Sequence, residues 1–347
     1  MNMKALIVEK NGNVAIRQVP KPKYKEYEAL VKMHASALCG TDMKILHNNL
    51  KGFTDYPTIL GHEGIGEIVA VGDKVRNFEI GDKVVLPYIL DKCGEYFATW
   101  GALAEYAVVG DTDAMVEDGL EVDEVTLHEF NFAQRKIPSS LDSVAATMIV
   151  TFREVYSTIK RLGFQPGHPI VIYGAGPVGL TFVKFTRLLG MSPIINIDLS
   201  DEKAEQALAA GADFAFNSNK VNIGEKLQEI FPDGIETLLD AAGVPALINQ
   251  NLKLVKNFGQ ICVYGVTPKN ELMMNWQEAP YNFNLKFVQW PSKEEEAAVH
   301  DEIIQMMLEG KLDGMDYISD VFDFADAVEA IDFFQKGKNQ KKIAIRF

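Results

Sequence analysis

The rhythm of hydrophobic and polar positions changes twice along this chain. From residue 1 to about 150 the apolar residues fall in short β-rich runs, "KALIVEK", "EALVKMHASAL", "GEIVAVG", "DKVVLPYIL" and "LAEYAVV", each bounded by Gly, Asp, Asn or Pro. That punctuation is the signature of strands closed by turns. From about 151 to 285 strand-like and helical runs alternate. "PIVIYGAG", "PIINID", "ADFAFN", "IETLLDAAG" and "QICVYGV" read as strands, and "PVGLTFVKFTRLLG", "SDEKAEQALAAG" and "PALINQNLKLVKNFG" as helices. Alternation of this kind predicts parallel strands joined by crossover helices. The tail predicts helices through "KEEEAAVHDEIIQMMLEGK" and "ADAVEAIDFFQKG", then a closing strand "KKIAIRF" that returns to the first domain. The expected class is therefore α/β: a β-rich domain over 1–150 completed by 286–347, and a doubly wound parallel-sheet domain over 151–285.

The second domain carries a dinucleotide signature. Gly174, Gly176 and Gly179, with Pro177 and Val178 between the last two, form G-x-G-x-x-G between an apolar strand and a helix. One glycine makes the tight turn, one lets the backbone approach a pyrophosphate, and one lets helix and strand pack closely. The next strand ends in Asp198, where a carboxylate accepts from an adenosine ribose 2′-hydroxyl and repels a 2′-phosphate. NAD is the expected cofactor.

Composition narrows the partners. With 347 residues, 47% hydrophobic and 24% charged, the chain has room for two domains with sizeable cores. A net charge of −14 argues against nucleic acid or an anionic membrane surface and favours a small-molecule ligand. The sequence contains no signal-peptide-like start and no apolar run of about 18 residues, so a cytoplasmic location is expected. Cys39, Cys93 and Cys262 are too few and too far apart for a disulfide framework and read as core residues or ligands.

Two segments raise the question of a metal. "LCGTDMK" ends an apolar strand at Cys39, and "PTILGHEGIGEIVAVGDKV" sets His62 against Glu63 in a glycine-rich run. Thiolate and imidazole are usual ligands of catalytic zinc, yet spacing alone also allows a buried Cys and a satisfied core His. Taken together, "CGTD", "GHEGIGEIVAVGDKV", "GDKVV", "LAEYAVV" and "GAGPVG" resemble the zinc-dependent medium-chain alcohol and polyol dehydrogenases, in order and over nearly the whole chain. The resemblance implies a GroES-like catalytic domain, a Rossmann domain, a nicotinamide at the cleft between them and one catalytic zinc bound by Cys39 and His62. It also implies that Glu63 is a ligand or close partner of the zinc, and that Thr41 passes the substrate proton onward. Cys39, Thr41, His62 and Glu63 are thus the expected catalytic residues, for hydride transfer between NAD and a secondary alcohol, polyol, sugar or sugar phosphate. Lys44 and His47 lie just downstream, as aids to the relay, substrate contacts or surface residues.

Two features depart from that family. The region that in many members holds a four-cysteine structural zinc is short here and contains only Cys93, so no structural zinc is expected. Where polyol members carry a Glu-Pro, this chain has Ile149, Val150 or Thr151, none of them a metal ligand. Glu63 is the stronger candidate for third ligand, ahead of Glu154 or a water, while His128 lies in a long acidic stretch without supporting spacing. The missing ligand keeps a zinc-free quinone or enoyl-type reductase open, and the fold alone would also suit a non-catalytic nucleotide-binding protein. Phe53, Trp100 and Trp290 are candidates for the substrate wall or the core. "QICVYGV" and "ELMMNW" read as an exposed sheet edge, from which a homodimer or homotetramer is expected.

Overall fold

The ten-residue strand Glu28–Ala37 is the spine of the first part of the chain. It pairs antiparallel with Gly64–Val71, with Tyr106–Gly110 and with Lys342–Arg346, so a segment from the far end of the sequence completes its sheet. The computed structural model describes residues 1–123, 127–266 and 271–347. These form two compact units, Met1–Arg153 with Lys293–Phe347, and Glu154–Ser292.

In the first unit the seven-stranded sheet runs in the order 318–323, 342–346, 28–37, 64–71, 83–85, 135–137, with 106–110 added on 28–37. A second sheet places Val14–Pro20, Asn2–Val8, Thr58–Ile59 and Phe97–Ala98 side by side. Alternating apolar positions from both sheets, among them Met3, Ala5, Ile7, Val31, Met33 and Ile68, share one core. A neighbouring core joins Leu38, Ile45 and Leu60 to Ala330 and Ile331 of the helix Ala327–Gln335. The run "DKVVLPYIL" yields only the strand Lys83–Val85, because Leu86 takes a left-handed φ of 56° and Pro87 follows. Two strands that pattern did not single out, Val14–Pro20 and Ile318–Asp323, form sheet edges. Apolar and polar residues do not alternate strictly in "VAIRQVP" or "ISDVFD", so periodicity gave them no strong signal.

The second unit is a single parallel sheet in the order 214–217, 194–198, 170–173, 235–240, 255–263, 284–287. The central strands Ile170–Tyr173 and Ile235–Asp240 are buried almost throughout, as strands covered by helices on both faces must be. Two sequence expectations need correction here. The helix expected through "PALINQNLKLVKNFG" stops at Asn251, a 3-10 turn Leu252–Leu254 follows, and Val255 already pairs with Ile235. The apolar spacing reads as helical, but Leu254 and Val255 are buried as the entry to a strand. The sheet edge is Asn284–Phe287, which adds outside "QICVYGV", whereas "ELMMNW" contributes no strand. Four residues are too few for a clear alternation signal.

Candidate active site

The first unit gathers the metal-type residues around one carboxylate. Cys39 is the extended residue that precedes the helix Gly40–Leu46, and Asp42 in its first turn accepts the Cys39 backbone N–H on Oδ2 at 2.9 Å. The other oxygen of Asp42 accepts the Gly61 N–H at 3.3 Å and lies 3.5 Å from Nδ1 of His62. A fully buried acid therefore ties the turn at Cys39 to the segment at His62. Gly61 is required there: its φ is +96°, and a Cβ would sit 2.7 Å from Leu103. His62 is buried, and its ring lies tilted at 55° against Trp100 with centroids 5.3 Å apart. Burial disfavours a charged imidazole, but Asp42 and then Cys39 outweigh it and hold His62 well above the ordinary histidine value.

Ligand atoms of Cys39, His62 and Glu63 lie within 4.8 Å of one another. Glu63 is 1% exposed, both of its oxygens contact Nζ of Lys342, and Thr151 donates to Oε1 at 3.4 Å. One thiol, one imidazole and one carboxylate converging, Cys39 half-buried and the other two buried, suit a zinc ion, and Asp42 faces Nδ1 of His62. Ile149, Val150 and Thr151 are buried and offer no further ligand, although the Thr151 hydroxyl is spent on Glu63. Glu154 is half-buried in the helix Ile149–Leu162 and begins the second unit. The side chain of His128 lies outside the described residues.

Thr41 and Lys44 stand one turn apart on the helix Gly40–Leu46, both half-buried. His47 is exposed and hydrogen-bonds the Met43 carbonyl at 2.8 Å. Trp100 borders the site through His62, Phe53 packs edge-on against Tyr56 at 5.1 Å, and Trp290 is exposed in the second unit. Two contributors escaped sequence reasoning. Asp42 was legible as an acid in the first turn of a helix, but nothing local marks Lys342.

The glycine motif of the second unit is built as its chemistry demands. Gly174 turns the chain at φ +104°, and a Cβ at Gly179 would lie 2.0 Å from the Gly174 carbonyl oxygen. Gly176 precedes the helix Pro177–Leu188 with open space around it, and Pro177 and Val178 occupy its first turn. Asp198 accepts the Ala175 N–H at 2.5 Å and the Leu199 N–H at 2.6 Å, which fixes its carboxylate at the end of its strand. A cavity of about 640 Å³ opens there, lined by Gly174, Asp198, Leu199, Ser218, Ala242 and Gln250 among others. It lies at the carboxyl ends of parallel strands, where open α/β sheets bind nucleotides.

Comparison with known proteins agrees with both halves. Residues 25–117 match the alcohol dehydrogenase GroES-like domain, and 177–303 match the zinc-binding dehydrogenase family. The chain is 32% identical to the sorbitol dehydrogenase of Bacillus subtilis (strain 168) over 282 residues, 79% of this chain and 78% of that one. It is 26% identical to the starvation-sensing protein RspB of Escherichia coli (strain K12), covering 99% of each. A solved structure of an rspB alcohol dehydrogenase from Escherichia coli CFT073, complexed with NADH, superposes with a TM-score of 0.82 at 23% identity, covering 100% of this chain and 99% of that one. The fold and the Cys39, His62 and Glu63 cluster define a two-domain oxidoreductase with a zinc-type centre and a dinucleotide fold. The chain belongs to the zinc-dependent medium-chain alcohol and polyol dehydrogenases.

Proposed function

We propose that this enzyme oxidises a secondary alcohol of the polyol, sugar or sugar phosphate type with NAD, using one zinc held by Cys39, His62 and Glu63. The observation that carries this reading is the convergence of those three side chains, with Asp42 behind the imidazole. When bound, zinc supplies Lewis acidity toward the substrate oxygen and the nicotinamide accepts hydride. The chain's own residues do the rest. Asp42 orients His62, Lys342 neutralises Glu63, and the Thr41 hydroxyl, able to accept and donate, moves the substrate proton outward. Gly174, Gly176, Pro177, Val178 and Gly179 hold the pyrophosphate, and Asp198 accepts from the ribose, which favours NAD over NADP.

Assembly as a homodimer or homotetramer is supported by the edge strand Asn284–Phe287, whose Leu285 and Phe287 are 45% and 58% exposed. A cytoplasmic location fits three free cysteines, and among the described residues no helix is long and apolar enough to cross a membrane. The test is metal analysis together with alcohol-dependent reduction of NAD and of NADP. One zinc per chain, activity lost in Cys39→Ser and His62→Ala with NADH binding retained, and an NAD preference eroded in Asp198→Ala are expected. Full activity in metal-free protein would instead establish a zinc-free reductase.

A further inference from the structure

A cavity of about 340 Å³ opens in the first unit between the segment 20–23 and the short stretch around Cys93. Its lining shares no residue with the zinc-type cluster or with the cavity beside Asp198. The side formed by Ile89, Cys93 and Val108 is apolar and buried. Lys21, Lys23 and Lys92 line it as well, together with two acids, Glu28 and Asp91. Those acids already have a cation. Nζ of Lys25 lies 3.6 Å from Glu28 and 3.3 Å from Asp91, and Glu28 also accepts the Lys25 backbone N–H at 2.9 Å. The ammonium groups of the three lining lysines make no hydrogen bond or ion pair with any described residue. Two of them rest on aromatic rings instead, Lys21 at 3.4 Å from the centre of Tyr106 and Lys92 at 3.6 Å from that of Phe97. Such a contact holds an ammonium over the ring without neutralising it, and leaves N–H donors for a ligand.

Charge and shape together define what fits. In a chain of net charge −14, three cations without a counter-charge gather on one concave surface. With Glu28 and Asp91 offset by Lys25, the walls carry a positive excess, and an apolar floor beneath such walls focuses the field toward anions. A phosphate group, with about two negative charges and three strong acceptor oxygens, can meet several ammonium groups at once. The volume lies at the lower end of small-molecule pockets, which limits the ligand to a compact one. We propose that this cavity is a second small-molecule site of the enzyme, where Lys21, Lys23 and Lys92 take the phosphate group of a compact ligand, inorganic or esterified.

The experiment is calorimetric titration of the zinc-loaded enzyme saturated with NADH, so that the dinucleotide's own pyrophosphate site is already filled. Inorganic phosphate, pyrophosphate and phenyl phosphate are the probes, at about 0.15 M salt, where loosely attracted ions are screened. At least one probe is expected to bind with a Kd below about 1 mM. Replacing Lys21, Lys23 and Lys92 together by Gln should weaken it by about 30-fold or more, and each single replacement by about 3 to 10-fold. A control carrying Lys10→Gln, Lys51→Gln and Lys253→Gln removes the same charge from exposed positions elsewhere and should keep the affinity. Thermal midpoint and NADH affinity check that both triple variants are folded. Phenyl phosphate binding more tightly than phosphate assigns the site to an organic phosphate seated on Ile89, Cys93 and Val108, and the reverse order assigns it to the free anion. Three probes that fail to bind overturn the proposal. So does binding that survives the loss of Lys21, Lys23 and Lys92, or that falls equally in the control.

Discussion

Glu63 and Lys342, separated by 279 residues in sequence, form a buried ion pair in which one ammonium contacts both carboxylate oxygens. Removing one partner of such a pair leaves an uncompensated buried charge, at a cost of about 3–5 kcal/mol. Lys342→Met should therefore destabilise the zinc-free enzyme by that amount. Zinc, which can neutralise the abandoned carboxylate, should stabilise the variant more than it stabilises the unmodified chain. Urea unfolding with and without the metal measures both increments. Equal zinc increments in the two proteins would show that Glu63 stays away from the ion.

Asp42 meets the backbone at Cys39 and Gly61 and the ring of His62 with a single carboxylate. Asp42→Asn keeps an acceptor oxygen for the Cys39 N–H, gives up the one that takes the weaker Gly61 N–H, and discards the charge facing Nδ1. Zinc affinity, read by competition with a chromophoric chelator, should fall by about 10 to 100-fold while the fold survives. Unchanged affinity would reduce Asp42 to a helix cap.

The two later glycines of the dinucleotide motif should fail differently. A Cβ at Gly176 meets nothing within 4 Å, whereas one at Gly179 would lie 2.0 Å from a carbonyl oxygen. Gly176→Ala should leave the thermal midpoint almost unchanged and weaken NADH binding, because only the arriving pyrophosphate needs the space. Gly179→Ala should lower the midpoint before any cofactor is added. Calorimetry and an NADH titration on the two variants separate these outcomes, and equal destabilisation would contradict the division of roles.

His300 in the first unit is 4% exposed, and its Nε2 lies 3.3 Å from the Lys136 carbonyl. Burial, and next the guanidinium of Arg153, push its pKa from 6.5 down to about 4. Between those values the unfolded chain binds a proton that the folded chain refuses, so stability falls as pH drops through that window. The loss amounts to about 3 kcal/mol at its lower end. His300→Gln should flatten the pH dependence of stability between pH 6.5 and 4. An identical slope in the variant would assign the acid sensitivity to other groups.

Legibility in the sequence followed the range of the interactions. The glycine motif and Asp198 lie within one strand-helix-strand unit, where local spacing and geometry coincide, so pattern located the dinucleotide fold. Cys39 and His62 came from separate segments, and only the resemblance to a known family joined them before their side chains were seen to converge. Lys342 was invisible, because it sits in an ordinary closing strand and acquires its role from antiparallel pairing of that strand with Glu28–Ala37. The edge Asn284–Phe287 was missed for the opposite reason: it is local but too short to show a period.

The return of residues 342–346 to the first sheet has a consequence for biosynthesis. Translation at about 5–20 residues per second separates Glu63 from Lys342 by roughly 15 to 55 s, given the 279 residues between them. Throughout that interval the carboxylate beside Cys39 and His62 lacks its ammonium, and before it ends the contiguous stretch Glu154–Ser292 has been made in full. The second unit can thus mature on the ribosome, and the first closes only once residues 342–346 have been made.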